Sequence, residues 1–335
     1  MITKTVQFSL LSLLSLLSSV AFATSAVPDK TDLKLWYNQA ATLWEEALPL
    51  GNGRLGAMVY GKPADETIQL NENTFWAGGP HNNINTAALA SLPKIRSLIT
   101  TGDYVAAEAL AAKTITSQGA NGMPYQSVGN LHLEFPAHTQ YQNYYRDLDI
   151  ANAVATTRYQ VADVVYSREI FTSLADQVLV VKLTASKPGK LSFKAYLSHP
   201  AKAAFSTQNA NTVLMQVQSA DHEGIKGQVQ LGALLQVQNS GGSLSQKDHQ
   251  IQVKNADSVL LLVSMATNFI NYKDISADAL KRAQQYLDTA QQQFQRQPYQ
   301  ARKTAHSTLY KNYFDRVTLD LGDSEFSTEP TDQRI

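Results

Sequence analysis

Hydrophobic and polar positions alternate with a period of two over most of the chain. Leu131, Leu133 and Phe135 are separated by His132 and Glu134, so one face of that segment is destined for a core. Runs rich in β-branched and aromatic residues follow at Val161 to Phe171, Gln177 to Ala185, Leu191 to Leu197 and Thr212 to Val217. Further runs lie at Val229 to Val237, Ile251 to Val253 and Ser258 to Met265. Gly, Pro, Asn or Asp punctuates most of the gaps, including a Ser-Gly-Gly-Ser turn at 240–243. This spacing predicts a mainly β fold, a large antiparallel sandwich of two sheets, over residues 30–272.

Two regions break the pattern. Leu89, Leu92, Ile95, Leu98 and Ile99 keep helical spacing, with Pro93 expected to split that helix in two; an Ala-rich helix follows from Asp103 to Lys113. Together they read as a helical insertion packed on the sandwich. The second region, 273–315, is a helical linker. Its first helix, Ser276 to Gln295, carries Leu280, Ala283, Leu287, Ala290 and Phe294 on one stripe, and after Pro298 a second runs from Tyr299 to Phe314. Residues 316–335 are read as one apolar strand (Val317, Leu319, Leu321) and a polar tail.

The first 23 residues have a different character. Lys4 precedes a Leu/Ser stretch from Val6 to Val20, and Ala21-Phe22-Ala23 places small residues at a cleavage position. The stretch is interrupted by Ser12, Ser15, Ser18 and Ser19 and is shorter than the roughly 20 apolar residues of a spanning helix. It reads as a signal peptide, so the protein is expected to be exported, periplasmic or secreted, and free of the membrane after cleavage.

Composition narrows the chemistry. Of 335 residues, 28 are Lys or Arg and 28 Asp or Glu, and no basic run is present, which argues against a nucleic-acid partner. Cysteine is absent, so neither a disulfide framework nor a thiolate metal site can form. The seven histidines form no H-x-H or H-E-x-x-H pair, no G-x-S-x-G elbow occurs, and no cofactor is expected. Gly51-Asn-Gly53-Arg-Leu-Gly56 has the letters of a dinucleotide fingerprint, but a strand rather than a helix follows it. A Gly-rich turn into that strand is the better reading.

The segment Asn71-Glu-Asn-Thr-Phe-Trp-Ala-Gly-Gly-Pro-His-Asn-Asn83 concentrates amides, a carboxylate and two aromatic rings in a turn-forming stretch. Sugars are recognised by such mixtures, a ring face for the C–H side and amides or acids for the hydroxyls. On composition alone the plainer reading, two core aromatics in an ordinary loop, is the favoured one.

Residues Trp44 to Gly61 (WEEALPLGNGRLGAMVYG) and Ile68 to Pro80 (IQLNENTFWAGGP) resemble the N-terminal signature of glycoside hydrolase family 95, mostly α-L-fucosidases. The resemblance continues through Ile95–Ile99, Tyr125–Leu131, Tyr144–Asp149 and His306–Gly322. It implies a β-sandwich, a helical linker and a catalytic (α/α)6 barrel. In that barrel a Glu acid and an Asp-activated water invert the anomeric centre across a gap of about 6.5–9.5 Å. The barrel is missing from this sequence, so no catalytic residue is carried over, and Glu45, Glu46 and Glu72 are not taken as substitutes. The implied partners are that barrel and a fucosylated glycan. Trp76, Glu72, Asn71, His81 and Arg54 are candidates for the rim of the substrate site, or equally for packing against the barrel. By itself the chain is expected to be inactive, and the helices at 276–314 are expected to leave apolar stripes uncovered. The alternative is a stand-alone exported sandwich that binds carbohydrate, or serves structurally, without cleaving it.

Overall fold

The alternation resolves into sixteen paired strands in a computed structural model, which describes residues 33–117, 122–319, 322, 326 and 328–334. In chain order these are β1 Lys34–Tyr37, β2 Leu48–Gly51, β3 Leu55–Val59, β4 Asp65–Glu72, β5 Gly129–Glu134, β6 Gln142–Asp149, β7 Val154–Val161 and β8 Val164–Thr172. They continue as β9 Leu179–Ala185, β10 Leu191–Ser198, β11 Ala203–Asn209, β12 Thr212–Gln218, β13 Gln230–Ser240, β14 Ser243–Lys247, β15 Gln250–Ala256 and β16 Ser258–Thr267. One sheet has nine strands in the order β1-β6-β7-β8-β9-β16-β13-β12-β11, and the other seven in the order β14-β15-β10-β5-β4-β3-β2. All pairings are antiparallel, and the two sheets enclose a core of Leu, Val, Ile, Phe and Tyr side chains. The fold is the expected large antiparallel sandwich. Residues 1–23, read above as a signal peptide, lie outside the described residues.

Local chemistry sets the connections. β2 and β3 form a hairpin around Gly53, whose φ of 87° suits glycine; the Asn52 Oδ1 accepts from the Arg54 and Leu55 amides to close the turn. The Gly-rich motif therefore sits between two strands and presents no helix N-terminus to a phosphate. The run from Val161 to Phe171 is not one strand. Ala162 turns at φ 50° and pairs Val161 with Val164, a two-residue hairpin without the Gly or Asn that normally signals one.

One polar cluster is buried inside the sandwich. Arg168 donates to Glu66 at 2.9 Å, to the Lys62 carbonyl at 2.7 Å and to the Tyr159 hydroxyl at 2.8 Å, and it also bonds the Pro63 carbonyl. Burial pushes the Glu66 carboxyl up, while Arg168 and the Gly61 amide, 2.8 Å away, pull it back. Tyr159 in turn meets His138 Nδ1 at 2.8 Å. With Arg168 already donating to its oxygen, the hydroxyl proton of Tyr159 is directed to that ring nitrogen.

The helices are α1 Ala88–Thr100, α2 Tyr104–Thr114, α3 Ala279–Arg296, α4 Tyr299–Phe314 and a final turn α5 Thr331–Arg334. α1 is continuous through Pro93, against expectation. The missing amide frees only the carbonyl of Leu89, an exposed residue, so no buried hydrogen bond is lost. α1 and α2 pack chiefly on each other, not broadly on the sandwich, and leave Leu89, Ile99, Tyr104 and Val105 exposed. Residues 317–319 are irregular rather than strand, with Val317 and Leu319 exposed and no neighbouring edge to pair with; Leu321 lies outside the described residues. The tail nonetheless finds a partner: Thr331 Oγ1 accepts from the Trp36 amide at 2.9 Å, seating α5 against β1.

The stripe of α3 is also covered. Ala283, Leu287 and Ala290 are buried on the outer face of the nine-stranded sheet against Phe171, Val180, Leu214, Leu234 and Leu262. This corrects the expectation of an open stripe, although Leu309 and Tyr313 of α4 do remain exposed. α4 is anchored by the buried Arg302–Asp176 ion pair and by His306, which stacks on Phe171. His306 Nδ1 accepts from the Leu174 amide at 3.3 Å, so Nε2 donates to the Ala153 carbonyl at 3.1 Å.

Both bonded histidines are therefore neutral. Burial holds His306 below the ordinary 6.5, and burial aided by Arg168 pushes His138 down to about 4. The unfolded chain takes up these protons near pH 6.5, the folded chain only below it. Their stabilisation is thus complete above about pH 6.5 and declines as the pH falls toward 4. In an NMR titration, neither ring of the folded protein is expected to follow an ordinary curve; protonation of His306 near 6.5 would contradict its assigned role.

Candidate functional site

The loop that follows β4 is built from both sheets. Its strand-like turn at Trp76 pairs with Tyr125, the Ala77 amide donates to the Pro124 carbonyl at 3.0 Å, and the Gly78 amide donates to the Ala220 carbonyl at 2.9 Å. Phe75 points inward and is fully buried, so one of the two loop aromatics is core. Trp76 points outward and is 44% exposed, with its Nε1 donating to the Asn73 carbonyl at 2.8 Å and its ring edge-on to Tyr125 at 5.8 Å. His81 is exposed, its Nδ1 2.8 Å from the Gly79 carbonyl oxygen.

A cavity of about 370 Å³ opens beside this loop. Trp76, Pro80, His81, Asn73, Phe269 and Tyr272 are among its walls. Tyr272 is 75% exposed, and with Trp76 it gives the cavity two accessible aromatic surfaces. Amides, an imidazole and rings meet there, a set suited to a sugar: C–H faces against the rings and hydroxyls toward Asn73, Asn83 and His81.

The candidate residues divide. Trp76 and His81 meet at this cavity. Asn71 lies on the other side of the Trp76–Tyr125 pair, facing outward from β4. Glu72 is buried, its Oε2 bonded to the Thr74 amide at 2.8 Å and hydroxyl at 2.6 Å, with Arg54 3.7 Å from its other oxygen. Arg54 donates to the side chain and the carbonyl of Gln177 and to the Met265 carbonyl, and lies over the Tyr286 ring at 4.2 Å. Arg54 and Glu72 therefore lie beneath the loop, joining β3 and β4 to β16 and α3, and line neither cavity. The hydrophobic step from β4 to Phe75 carries them inward. Glu46 is likewise committed, its carboxylate accepting from the Thr42 and Leu43 amides, which hold it below the usual carboxylate range. Among the described residues, no group of three or more His, Asp or Glu could hold a metal ion. No described helix is long and apolar enough to cross a membrane.

Tyr125 and Tyr272 were not singled out in the sequence. Tyr125 heads a motif that resembles family 95, which was its available signal. Tyr272 sits in a polar turn after β16, where nothing in its neighbours marks it.

The family model for the glycosyl hydrolase family 65 N-terminal domain matches residues 35–272, which span every strand but the first residue of β1. The chain belongs to this family. It is also 32% identical to alpha-L-fucosidase 2 of Arabidopsis thaliana over 90% of its length, and 25% identical to a "probable alpha-fucosidase A" of Aspergillus niger over 95%. These aligned regions are 38% and 42% of those two proteins, so the chain spans less than half of the curated relatives it matches. Among solved structures, a "putative kojibiose phosphorylase from human microbiome" superposes with a TM-score of 0.51 at 8% identity. That match covers 84% of this chain and 38% of the other, and it shows a shared fold only. A glycoside hydrolase N-terminal domain of the family 65/95 type accounts for the sandwich and for the motifs at Trp44–Gly61 and Ile68–Pro80.

Proposed function

We propose that this chain is the N-terminal, substrate-flanking portion of an exported α-L-fucosidase-type glycoside hydrolase, and that it does not hydrolyse glycosides by itself. The observation that carries the reading is the 32% identity to a fucosidase along 90% of the chain. The geometry agrees with a flanking role. Trp76 and His81 are accessible at a sugar-sized cavity, whereas Glu72 is enclosed, one carboxylate oxygen bonded to Thr74 and the other beside Arg54. Inverting hydrolysis needs an acid and a base opposed across a water-filled gap. Those groups are assigned to the additional length that the relatives possess. The partners are accordingly a fucosylated glycan and a catalytic barrel.

The chain is expected to release no L-fucose from 2′-fucosyllactose or from fucosylated xyloglucan fragments. Release above the uncatalysed background would place the hydrolytic groups within these residues and overturn the proposal. Export is tested separately: protein recovered from the periplasm or medium should begin at Thr24, and an intact Met1 in that fraction would count against it.

A further inference from the structure

A second cavity, about 710 Å³ in volume, lies on the outer face of the seven-stranded sheet, across the Trp76–Tyr125 pair from the loop cavity. The register explains its floor. Gly56 of β3 stands opposite Asn71 of β4, and Gln69 of β4 opposite Asn130 of β5, which in turn faces Ser198 of β10. The side chains of Gln69, Asn71, Asn130 and Ser198 all lie on this one face, half-buried rather than solvated. Glycine at 56 leaves the space over β3 open, because a Cβ there would already stand 3.3 Å from the Cβ of Asn71. Gly129 has a φ of 103°, and any Cβ on it would collide with the Ser198 carbonyl at 2.0 Å, so β5 and β10 come together without a side chain between them.

Rings stand at the edges of this floor. Trp44, more than half exposed, rises beside β2, and Tyr125 and His199 stand on the opposite side. Burial, with Glu72 nearby, raises the Tyr125 phenol, which keeps it a neutral hydroxyl donor. Among the described residues, no Asp, Glu, Lys or Arg lines the cavity. An outer sheet face exposed to water ordinarily carries charge. This one carries three amides, hydroxyls and rings instead. The Asn71 Oδ1 is buried and without a hydrogen-bond partner.

We infer that this cleft is a binding site for a neutral oligosaccharide, separate from the loop cavity. The ring faces of Trp44 and Tyr125 suit the C–H faces of pyranose units, and Gln69, Asn71 and Asn130 suit their hydroxyls. The volume falls within the range of about 300–1,000 Å³ of small-molecule sites. An uncharged lining offers no counter-charge to a uronic acid, whose carboxylate would be desolvated without compensation. The inference goes beyond the proposed hydrolase role and stands whether or not any fucoside is cleaved.

The test is calorimetric titration of the chain with 2′-fucosyllactose, with a neutral xyloglucan heptasaccharide and with trigalacturonic acid. Saturable binding of at least one neutral sugar and none of the acid is expected. Trp44→Ala and Asn130→Ala should each weaken that binding about tenfold, the loss of an anchoring contact at the centre of a site. Leu309→Ala, on the exposed side of α4 and lining neither cavity, should leave it unchanged. Should Asn130→Ala fail to fold, Gln69→Ala reads the same floor from the neighbouring strand. No heat with either neutral sugar would overturn the inference. So would equal binding of the acid, or binding abolished by His81→Ala, at the loop cavity, and untouched by Asn130→Ala. Because fucose release is not read, failure here leaves the proposed function standing.

Discussion

Arg168→Met is expected to remove about 3–5 kcal/mol of unfolding free energy, a large share of the roughly 5–15 kcal/mol that hold an ordinary domain folded. The guanidinium is fully buried and holds four groups at once: Glu66, the Tyr159 hydroxyl and the carbonyls of Lys62 and Pro63. Removing it takes from Glu66 its ion-paired guanidinium inside the sandwich. That carboxyl then ionises only at high cost, or protonates and loses part of its grip on the Gly61 amide. The double variant Glu66→Gln/Arg168→Met should recover part of the loss, because the uncompensated charge is gone while the orphaned carbonyls remain. Urea unfolding of wild type and both variants measures this. A single variant within 1 kcal/mol of wild type (about one pKa unit's worth of free energy) would show that the cluster is not what holds β4 to β8.

Leu287→Ala should cost about 2–5 kcal/mol, the range for a truncated core leucine. Its side chain is fully buried at the centre of the α3 stripe, over strands β9, β13 and β16. The cavity left there also loosens the helix that covers the outer face of the nine-stranded sheet, so association by light scattering should rise with concentration. Leu309→Ala, on the exposed side of α4, is the matched control and should fall within about 0.5 kcal/mol of wild type. Equal effects of the two substitutions would mean that α3 does not depend on the sheet for its stability.

These two sites show different degrees of legibility. The α3 stripe was readable as a period of 3.6, but the pattern could not say what would cover it. An open stripe was expected because a barrel was the obvious cover; the sheet itself fills that role through Phe171, Leu234 and Leu262. Arg168 had only an ambiguous signal. Period-two alternation puts it on the face of Val164, Tyr166 and Ile170, but a charged residue ordinarily argues for solvent on that face. Only the tertiary structure supplies the partner, Glu66, that lets the guanidinium be buried there.

The loop at Asn71–Asn83 was recognisable by composition, and two of its residues, Trp76 and His81, do face a cavity. Arg54 and Glu72 were indistinguishable from them in the sequence. Glu72 is buried by the alternation of β4 itself, on the face of Ile68 and Leu70, and Arg54 by Gln177 and Met265, more than a hundred residues away, which accept its bonds.

By itself, then, the sequence determined most of the strand and helix segments, the sandwich class and the family, because these rest on period, turn residues and contiguous motifs; the hairpin at Ala162, the unbroken α1 and the irregular 317–319 escaped it. The tertiary structure alone decided which polar residues face a cavity and which are spent inside. It also decided that Gln69, Asn71 and Asn130 share one uncharged floor. The reason is physical: a strand's alternation says that every second residue faces the same way, but strand register and the neighbouring sheet decide what each face meets.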